Sequence, residues 1–234
     1  MEYLVHFDEL DSTNTYLKKN WESLPKSTVV VAEKQTAGRG RYNRVWISNE
    51  GGLYFSVLLK PNKPDFLPNL TQLMALSICQ TLEKANLIPQ LKWPNDVLIN
   101  GEKICGILSE VIMKGSQIGA VVIGVGINIS QEGLEQIDQP VTSLKKLGIK
   151  TEKKVLLQQI LNHFWKEYPS LCESGFETIR AAYKQRANFL GKQVSVTNND
   201  KTIFGLAKDI SAHGTLLLRT EKGLEEIYIG DVRV

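Results

Sequence analysis

The sequence predicts an α+β protein in which a mixed β-sheet is packed with helices and followed by a small all-β tail. Three observations carry this expectation. Apolar runs of strand length recur between residues 27 and 127, and helical spacing of apolar residues covers 69–85, 155–171 and 176–189. From residue 189 the texture changes to short strand-like runs separated by turn residues. The composition, 42% hydrophobic and 23% charged, is that of an ordinary globular chain rather than a disordered or collagen-like one.

Taken in order, Ser12 is placed to cap a helix running to Trp21, and residues 27–33 form a buried β-rich strand. A polar loop over 34–50 leads to a strand at 53–59. The helix expected over 69–85 sets Leu70, Leu73, Met74, Ile78 and Leu82 on one face, which should cover the sheet. Strands are expected at 90–93, 96–99, 104–112 and 117–127, with Asn100-Gly101 as a tight hairpin turn. In the tail, runs at 193–197, 201–206, 215–220 and 225–229 are divided by Asn198-Asn199-Asp200, His213-Gly214 and Lys222-Gly223. A compact β-barrel follows from that spacing, so the expected domains are 1–188 and 189–234. A piece of that size is marginal alone and should pack on the larger one.

Composition also excludes some functions. Lys and Arg number 28 against 25 acidic residues, and a net charge of +3 is too weak for a dedicated nucleic-acid surface. Cys79, Cys105 and Cys172 show neither a CxxC nor a Cys/His array, which argues against a disulfide framework or a zinc site. No leader pattern and no run of roughly 18 apolar residues is present, so a cytoplasmic protein with no membrane partner is expected.

Two clusters are able to carry chemistry. The segment from Gln35 to Trp46 holds Gly38-Arg39-Gly40-Arg41, a third arginine at Arg44 and an indole, with no acidic residue. Arginines offer forked donors to carboxylate or phosphate, glycines admit a ligand close to the backbone, and an indole covers an apolar ring. The alternative is a solvated basic loop. Neither Gly-x-x-x-x-Gly-Lys-Ser/Thr nor a complete dinucleotide fingerprint is present, since Gly124-Val125-Gly126-Ile127-Asn128 is followed by Ile129 where a third glycine belongs. The second cluster is Lys92-Trp93-Pro94-Asn95-Asp96, with Lys103 beyond the turn. Asp96 suits a magnesium ion and the lysines suit a reacting phosphate. The alternative is a Pro-Asn turn flanked by surface lysines.

Together these segments resemble the catalytic domain of biotin protein ligases, whose signatures are a Gly-Arg-Gly-Arg loop, a Lys-Trp-Pro-Asn-Asp segment and a lysine seven residues past that aspartate. All three occur in order, and Ser12-Thr13-Asn14, Gln35, Gly51-Gly52-Leu53-Tyr54 and Gly124 to Asn128 fall where the family places its own. The resemblance covers nearly the whole chain. It implies a class II aminoacyl-tRNA synthetase-like or biotin synthetase-like sheet, and an SH3-like barrel for the tail.

The resemblance also implies a reaction. Biotin and ATP would give biotinyl-5'-AMP with magnesium as cofactor, and biotin would then pass to a lysine of a biotin carboxyl carrier domain in a biotin-dependent carboxylase. It implies Ser12, Thr13 and Gln35 on the polar groups of biotin, with Asn14 supporting them. Gly38, Arg39, Gly40 and Arg41 would wrap the biotin carboxylate and the linking phosphate. Arg44 and Lys103 would meet phosphate oxygens, Trp46 and Asn128 the adenine, and Lys92 and Asn95 the nucleotide. Asp96 would contribute to the metal site, and Lys103, Arg44 and Asp96 form the catalytic set. The loop is expected to close over the adenylate as a lid.

One position departs from the family pattern. Asn43 stands where the relatives carry glycine, and asparagine is the next most tolerant residue of a left-handed backbone. Only about ten residues precede Ser12, so no DNA-binding helix-turn-helix is expected. The family includes monomers and dimers, which leaves a homodimer open. Competing readings are a lipoate or octanoate ligase of the same fold and a non-catalytic biotin sensor. His6, His163, His213, Trp165, Tyr168, Lys145 and Lys146 are expected to be structural or solvated.

Overall fold

The computed structural model describes residues 3–61, 66–199 and 201–234. Asp200, the last residue of one expected tail turn, lies outside the described residues. In chain order the first elements are β1 (Tyr3–Leu10), α1 (Thr13–Asn20), β2 (Thr28–Gln35), β3 (Leu53–Leu59), α2 (Leu67–Glu83), β4 (Pro89–Lys92) and β5 (Asp96–Ile99). They are followed by β6 (Glu102–Lys114), β7 (Gln117–Ile127), α3 (Lys153–Ser174) and α4 (Glu177–Arg186). The tail supplies β8 (Gln193–Asn198), β9 (Lys201–Ile210), β10 (Leu216–Thr220), β11 (Gly223–Ile227) and β12 (Asp231–Arg233). The chain divides into two compact units, Met1–Leu67 with Gly101–Gln158, and Pro68–Asn100 with Gln159–Val234.

In the first unit β1 runs parallel to β2, and the order continues antiparallel through β3 and β7 to β6, giving a mixed sheet. The run of β3, aliphatic and aromatic apart from Ser56, is buried at all seven positions, so both faces of this strand are covered. Helix α1 starts because Ser12 takes an extended backbone and its side chain accepts from the Thr15 N–H at 3.5 Å. Its Leu17 enters a buried cluster with Val30, Leu58, Ala120 and Val122, which lays the helix on the sheet. Asn100 and Gly101 both sit at positive φ, 53° and 81°, as the tight-turn expectation requires.

In the second unit β4 pairs with β5, and the tail forms an antiparallel sheet of order β11-β10-β9-β8-β12. Among the described residues β11 and β12 remain edges, so the sheet does not close on itself. The His213-Gly214 turn is held by α2 and by the second cluster. Asn69 Nδ2 donates to the His213 carbonyl at 2.9 Å, Gln72 Nε2 to the Gly214 carbonyl at 2.8 Å, and Trp93 Nε1 to the same oxygen at 3.1 Å. Arg186 forks onto Glu83 at 2.6 and 2.8 Å, tying α4 to α2.

The expected strands at 53–59 and 117–127 match β3 and β7 end to end. Two strands were not anticipated. In β1 no residue is fully buried and three of eight are His or acidic, which mutes the periodic signal, while β12 is three residues long. Strand β9 extends four residues past its expected end because residues 206–210 pair with β10.

Candidate active site

The floor of the candidate site is a set of glycines on β6 and β7. Gly126 pairs with Gly106 on one side and with Tyr54 on the other, and Gly124 pairs with Leu108 and Ser56. None of the three has a positive φ, so conformational freedom does not explain them. Close approach does. A Cβ on Gly124 would lie 2.8 Å from Asn14 Cγ and nearer still to its Oδ1. One on Gly126 would lie 2.5 Å from Trp46 Cε2, and one on Gly106 would lie 2.8 Å from Trp46 Cζ3. The Gly-Val-Gly-Ile-Asn segment is therefore a bare surface on which α1 and the loop indole rest.

At the start of α1 a hydrogen-bonded chain runs across this floor. Gln35 Nε2 donates to Ser48 Oγ at 3.0 Å, and Gln35 Oε1 accepts from the Thr13 N–H at 2.8 Å. Ser56 Oγ lies 2.6 Å from both Thr13 Oγ1 and Asn14 Oδ1. Asn14 Nδ2 donates to Glu110 Oε2 at 2.8 Å and to the Leu108 carbonyl at 3.3 Å, and Lys18 Nζ reaches Glu110 Oε1 at 2.5 Å. Ser12, Thr13, Asn14, Ser48 and Ser56 are buried, and every one of them has a partner, as buried polar groups require. Burial works to raise the Glu110 pKa, but hydrogen bonds from Lys18 and Asn14 and the charges of Lys18 and Arg39 outweigh it. The carboxylate is held below its ordinary range.

The arginine loop folds back on itself. Trp46 N–H donates to the Gly38 carbonyl at 3.0 Å, Gly40 N–H to the Arg44 carbonyl at 2.7 Å, and Arg39 bridges Val45. At the apex Tyr42 and Asn43 take φ of 55° and 56°, so Asn43 does occupy the left-handed conformation that its glycine-like position calls for. Gly38 has no room for a side chain, since a Cβ would lie 2.6 Å from the Trp46 carbonyl oxygen. Gly40 has that room. Its Cβ would meet only the Arg44 carbonyl oxygen, at an ordinary 3.7 Å. The Arg41 and Arg44 guanidinium carbons stand 5.0 and 5.5 Å from the centroid of the Tyr42 ring, and Arg39 Nη2 donates to Thr15 Oγ1 at 3.3 Å.

Lys103 Nζ lies 5.3 Å from the centroid of the Trp46 ring, so the second predicted lysine and the loop indole meet directly. The Trp46 Nε1 is buried without a hydrogen-bond partner among the described residues. The Lys103 backbone is bridged on both sides of Val141, through Pro140 and Thr142. Asn128 is committed to this junction. Its Nδ2 donates to the carbonyls of Thr142 at 3.0 Å and Lys103 at 3.4 Å, and its Oδ1 accepts from Gln131 Nε2 at 2.6 Å. Gln131 also lines an open cleft of about 590 Å³ with Ser130, Ser143 and Lys145.

In the second unit Lys92 ends β4, Asp96 begins β5 and pairs with it, and Asn95 lies in the turn between; all three are half-buried. No group of three or more His, Cys, Asp or Glu able to hold a metal ion occurs among the described residues. His6 pairs with Glu33 at 2.8 Å, and Cys105 is fully buried in β6.

The structure thus gathers Ser12, Thr13, Asn14, Gln35, the loop from Gly38 to Trp46, Lys103 and Asn128 within the first unit. Sequence reasoning missed Ser48, Ser56, Gly106, Glu110 and Gln131. Two of these carried a signal: Ser56 is the one small hydroxyl residue in a strand otherwise built of aliphatic and aromatic side chains, and Glu110 is a carboxylate amid Ile107, Leu108, Val111 and Ile112.

Comparison with known proteins assigns this arrangement first to a class. Residues 6–128 match the biotin/lipoate A/B protein ligase family, and residues 189–234 match the biotin protein ligase C terminal domain. The chain belongs to the biotin protein ligase family. It is 36% identical over 241 residues to the bifunctional ligase/repressor BirA of Bacillus subtilis, covering 100% of this chain and 74% of that protein. A biotin acetyl-CoA-carboxylase ligase of Paracoccus denitrificans is 30% identical over 233 residues, covering 95% of this chain and 96% of the relative. The structure of a biotin protein ligase from Aquifex aeolicus in complex with biotin and ATP superposes with a TM-score of 0.89 at 33% identity, covering 100% of this chain and 98% of that one.

Proposed function

We propose that the chain joins biotin to ATP, releasing pyrophosphate, and passes the biotinyl group to a lysine of a biotin carboxyl carrier domain of a carboxylase. The observation that carries this is the seating of Asn14 over Gly124 and Trp46 over Gly126. These glycines are two residues apart on one face of β7, a spacing of about 7 Å, so the polar chain and the Trp46–Lys103 pair border one short stretch of floor. One side can hold the polar ring of biotin and the other its activated carboxylate and the nucleotide.

Thr13, Gln35 and Ser12 bind the polar groups of biotin, while Arg39 and Arg41, with Gly38 and Gly40, lie along its carboxylate and the linking phosphate. Arg44 and Lys103 neutralise charge developing on the phosphate as the carboxylate attacks, a preorganised role that needs no reorientation during reaction. Trp46 and Asn128 border the adenine, and Lys92 and Asn95 serve the nucleotide. Asp96 would hold magnesium. A single carboxylate fits an ion that arrives largely ligated by nucleotide phosphates, and when bound it supplies further charge neutralisation there. Adenylation is needed because a free carboxylate is a poor acyl donor, and the loop excludes water from the labile anhydride.

The match at 189–234 supports reading the tail as a domain after 1–188, its open five-stranded sheet arranged in the manner of an SH3-like barrel without closing. Free cysteines, two of them buried, suit a cytoplasmic protein, and no helix among the described residues is long and apolar enough to cross a membrane. A net charge of +3 gives no support to DNA binding, which a gel shift checks. The deciding experiment is pyrophosphate exchange with biotin, lipoate and octanoate, followed by transfer to a purified carrier domain. Exchange with lipoate alone, or tight biotin binding without transfer, would overturn the reading.

A further inference from the structure

Lys103 and Trp46 come from distant parts of the chain and meet over Gly106, a glycine outside the motifs that mark the family. A Cβ on Gly106 would lie 2.8 Å from Trp46 Cζ3, 3.2 Å from Lys103 Cε and 3.3 Å from Lys103 Nζ. The ring and the end of the lysine therefore share the space that a side chain at 106 would fill. The ammonium stands 5.3 Å from the ring centroid, within the range of a cation–π contact. Both backbones are fixed. The Trp46 N–H donates to the Gly38 carbonyl at 3.0 Å, while the Lys103 N–H donates to Pro140 at 2.9 Å and the Lys103 carbonyl accepts from Thr142 at 3.0 Å. A Cβ on Gly126, the strand partner of Gly106, would lie 2.5 Å from Trp46 Cε2, so the indole spans both glycines.

A lysine stem is flexible, so a fixed backbone does not by itself place the ammonium. A carboxylate beside it would hold it but would also cancel the charge that a reacting phosphate needs. An aromatic face attracts the cation and adds no opposing charge. We propose that Trp46 is a positioning residue for Lys103, its ring face and the empty place at Gly106 together setting the ammonium where charge develops on the phosphate. The inference rests on the biotin-ligase reading and deepens it. Because Trp46 is carried by the arginine loop, the seating of that loop also sets Lys103. This role is distinct from bordering the adenine, which bears on the binding of ATP rather than on the rate once ATP is bound.

The test is a double-mutant cycle of Trp46→Leu and Lys103→Met in the full chain, read as the single-turnover rate of adenylate formation at saturating biotin and ATP. Lys103→Met keeps the stem over Gly106 and removes the charge. With Lys103 present, Trp46→Leu should lower the saturating rate about tenfold, and in the Lys103→Met background it should change that rate by less than about twofold. A rise in the KM for ATP reads the adenine contact and does not enter the comparison. Equal losses in the two backgrounds would overturn the proposal, as would a Trp46→Leu variant that changes the KM for ATP alone. Where Trp46→Leu does not fold, fluorinated tryptophans inserted at position 46 alone weaken the ring face with almost no change in size. The saturating rate should then fall stepwise with the number of fluorines, and only while Lys103 is present; a rate indifferent to fluorination overturns the proposal equally. Parent protein that shows no biotin-dependent pyrophosphate exchange defeats the ligase reading itself, so the two failures are distinguishable.

Discussion

Gly124→Ala is the substitution whose consequence the structure specifies best. The added Cβ would stand 2.8 Å from Asn14 Cγ and 2.9 Å from Nδ2, whereas ordinary contact begins at 3.4 Å, so the amide has to retreat by about 0.6 Å at Cγ and further at Oδ1. It has little freedom to do so. The 2.6 Å contact with Ser56 and the 2.8 Å bond to Glu110 pull from opposite ends, and Asn14 is buried. Stretching both bonds leaves buried groups incompletely satisfied at about 1–3 kcal/mol each, and we expect a loss of about 2–4 kcal/mol in total. At roughly 2–4 °C per kcal/mol for a chain of this size, thermal melting should shift down by about 5–15 °C. Because Asn14 adjoins Thr13, pyrophosphate exchange should show a raised KM for biotin as well. A variant melting within about 2 °C of the parent with an unchanged biotin KM would refute the claim that Gly124 is glycine for want of space.

Three other outcomes are expected. Lys103→Ala should slow adenylation about a hundredfold or more, because one preorganised donor is worth roughly 3–4 kcal/mol, and an unchanged single-turnover rate removes Lys103 from the chemistry. Asn43→Val should destabilise the loop apex by about 1–2 kcal/mol, since φ of 56° is costly for a β-branched residue, whereas Asn43→Gly should be tolerated. Limited proteolysis between Arg39 and Arg44 reads this out, and equal cleavage of the two variants would contradict it. Glu33 is held below its ordinary 4.5 chiefly by the hydrogen bond from Lys153, against burial and with help from His6. A depressed carboxylate stabilises the fold above its unfolded pKa, and that contribution is lost as pH falls through the folded value. The melting temperature should therefore decline below about pH 4.5, and less steeply in Lys153→Met; parallel declines would show that the pair does not titrate with folding.

The parts of this protein that are legible in the sequence are those whose cause is local. The cap at Ser12, the left-handed Asn100-Gly101 turn and the left-handed Asn43 follow from backbone preferences of single residues, and β3 and β7 follow from predominantly apolar runs of strand length. The order of the Gly-Arg-Gly-Arg loop, Lys-Trp-Pro-Asn-Asp and Lys103 points to the family, because spacing is a property of the chain itself. What the tertiary structure alone decides is who meets whom across long separations. Asn14 and Glu110 are 96 residues apart, Trp93 reaches a turn 121 residues away, and Gly124 is glycine because Asn14 lies on it. Trp93 is in the signature but anchors the tail, and the Asn128 amide is held by Lys103, Thr142 and Gln131. A hydrogen bond depends on position within about 3 Å, and only the folded chain sets that distance.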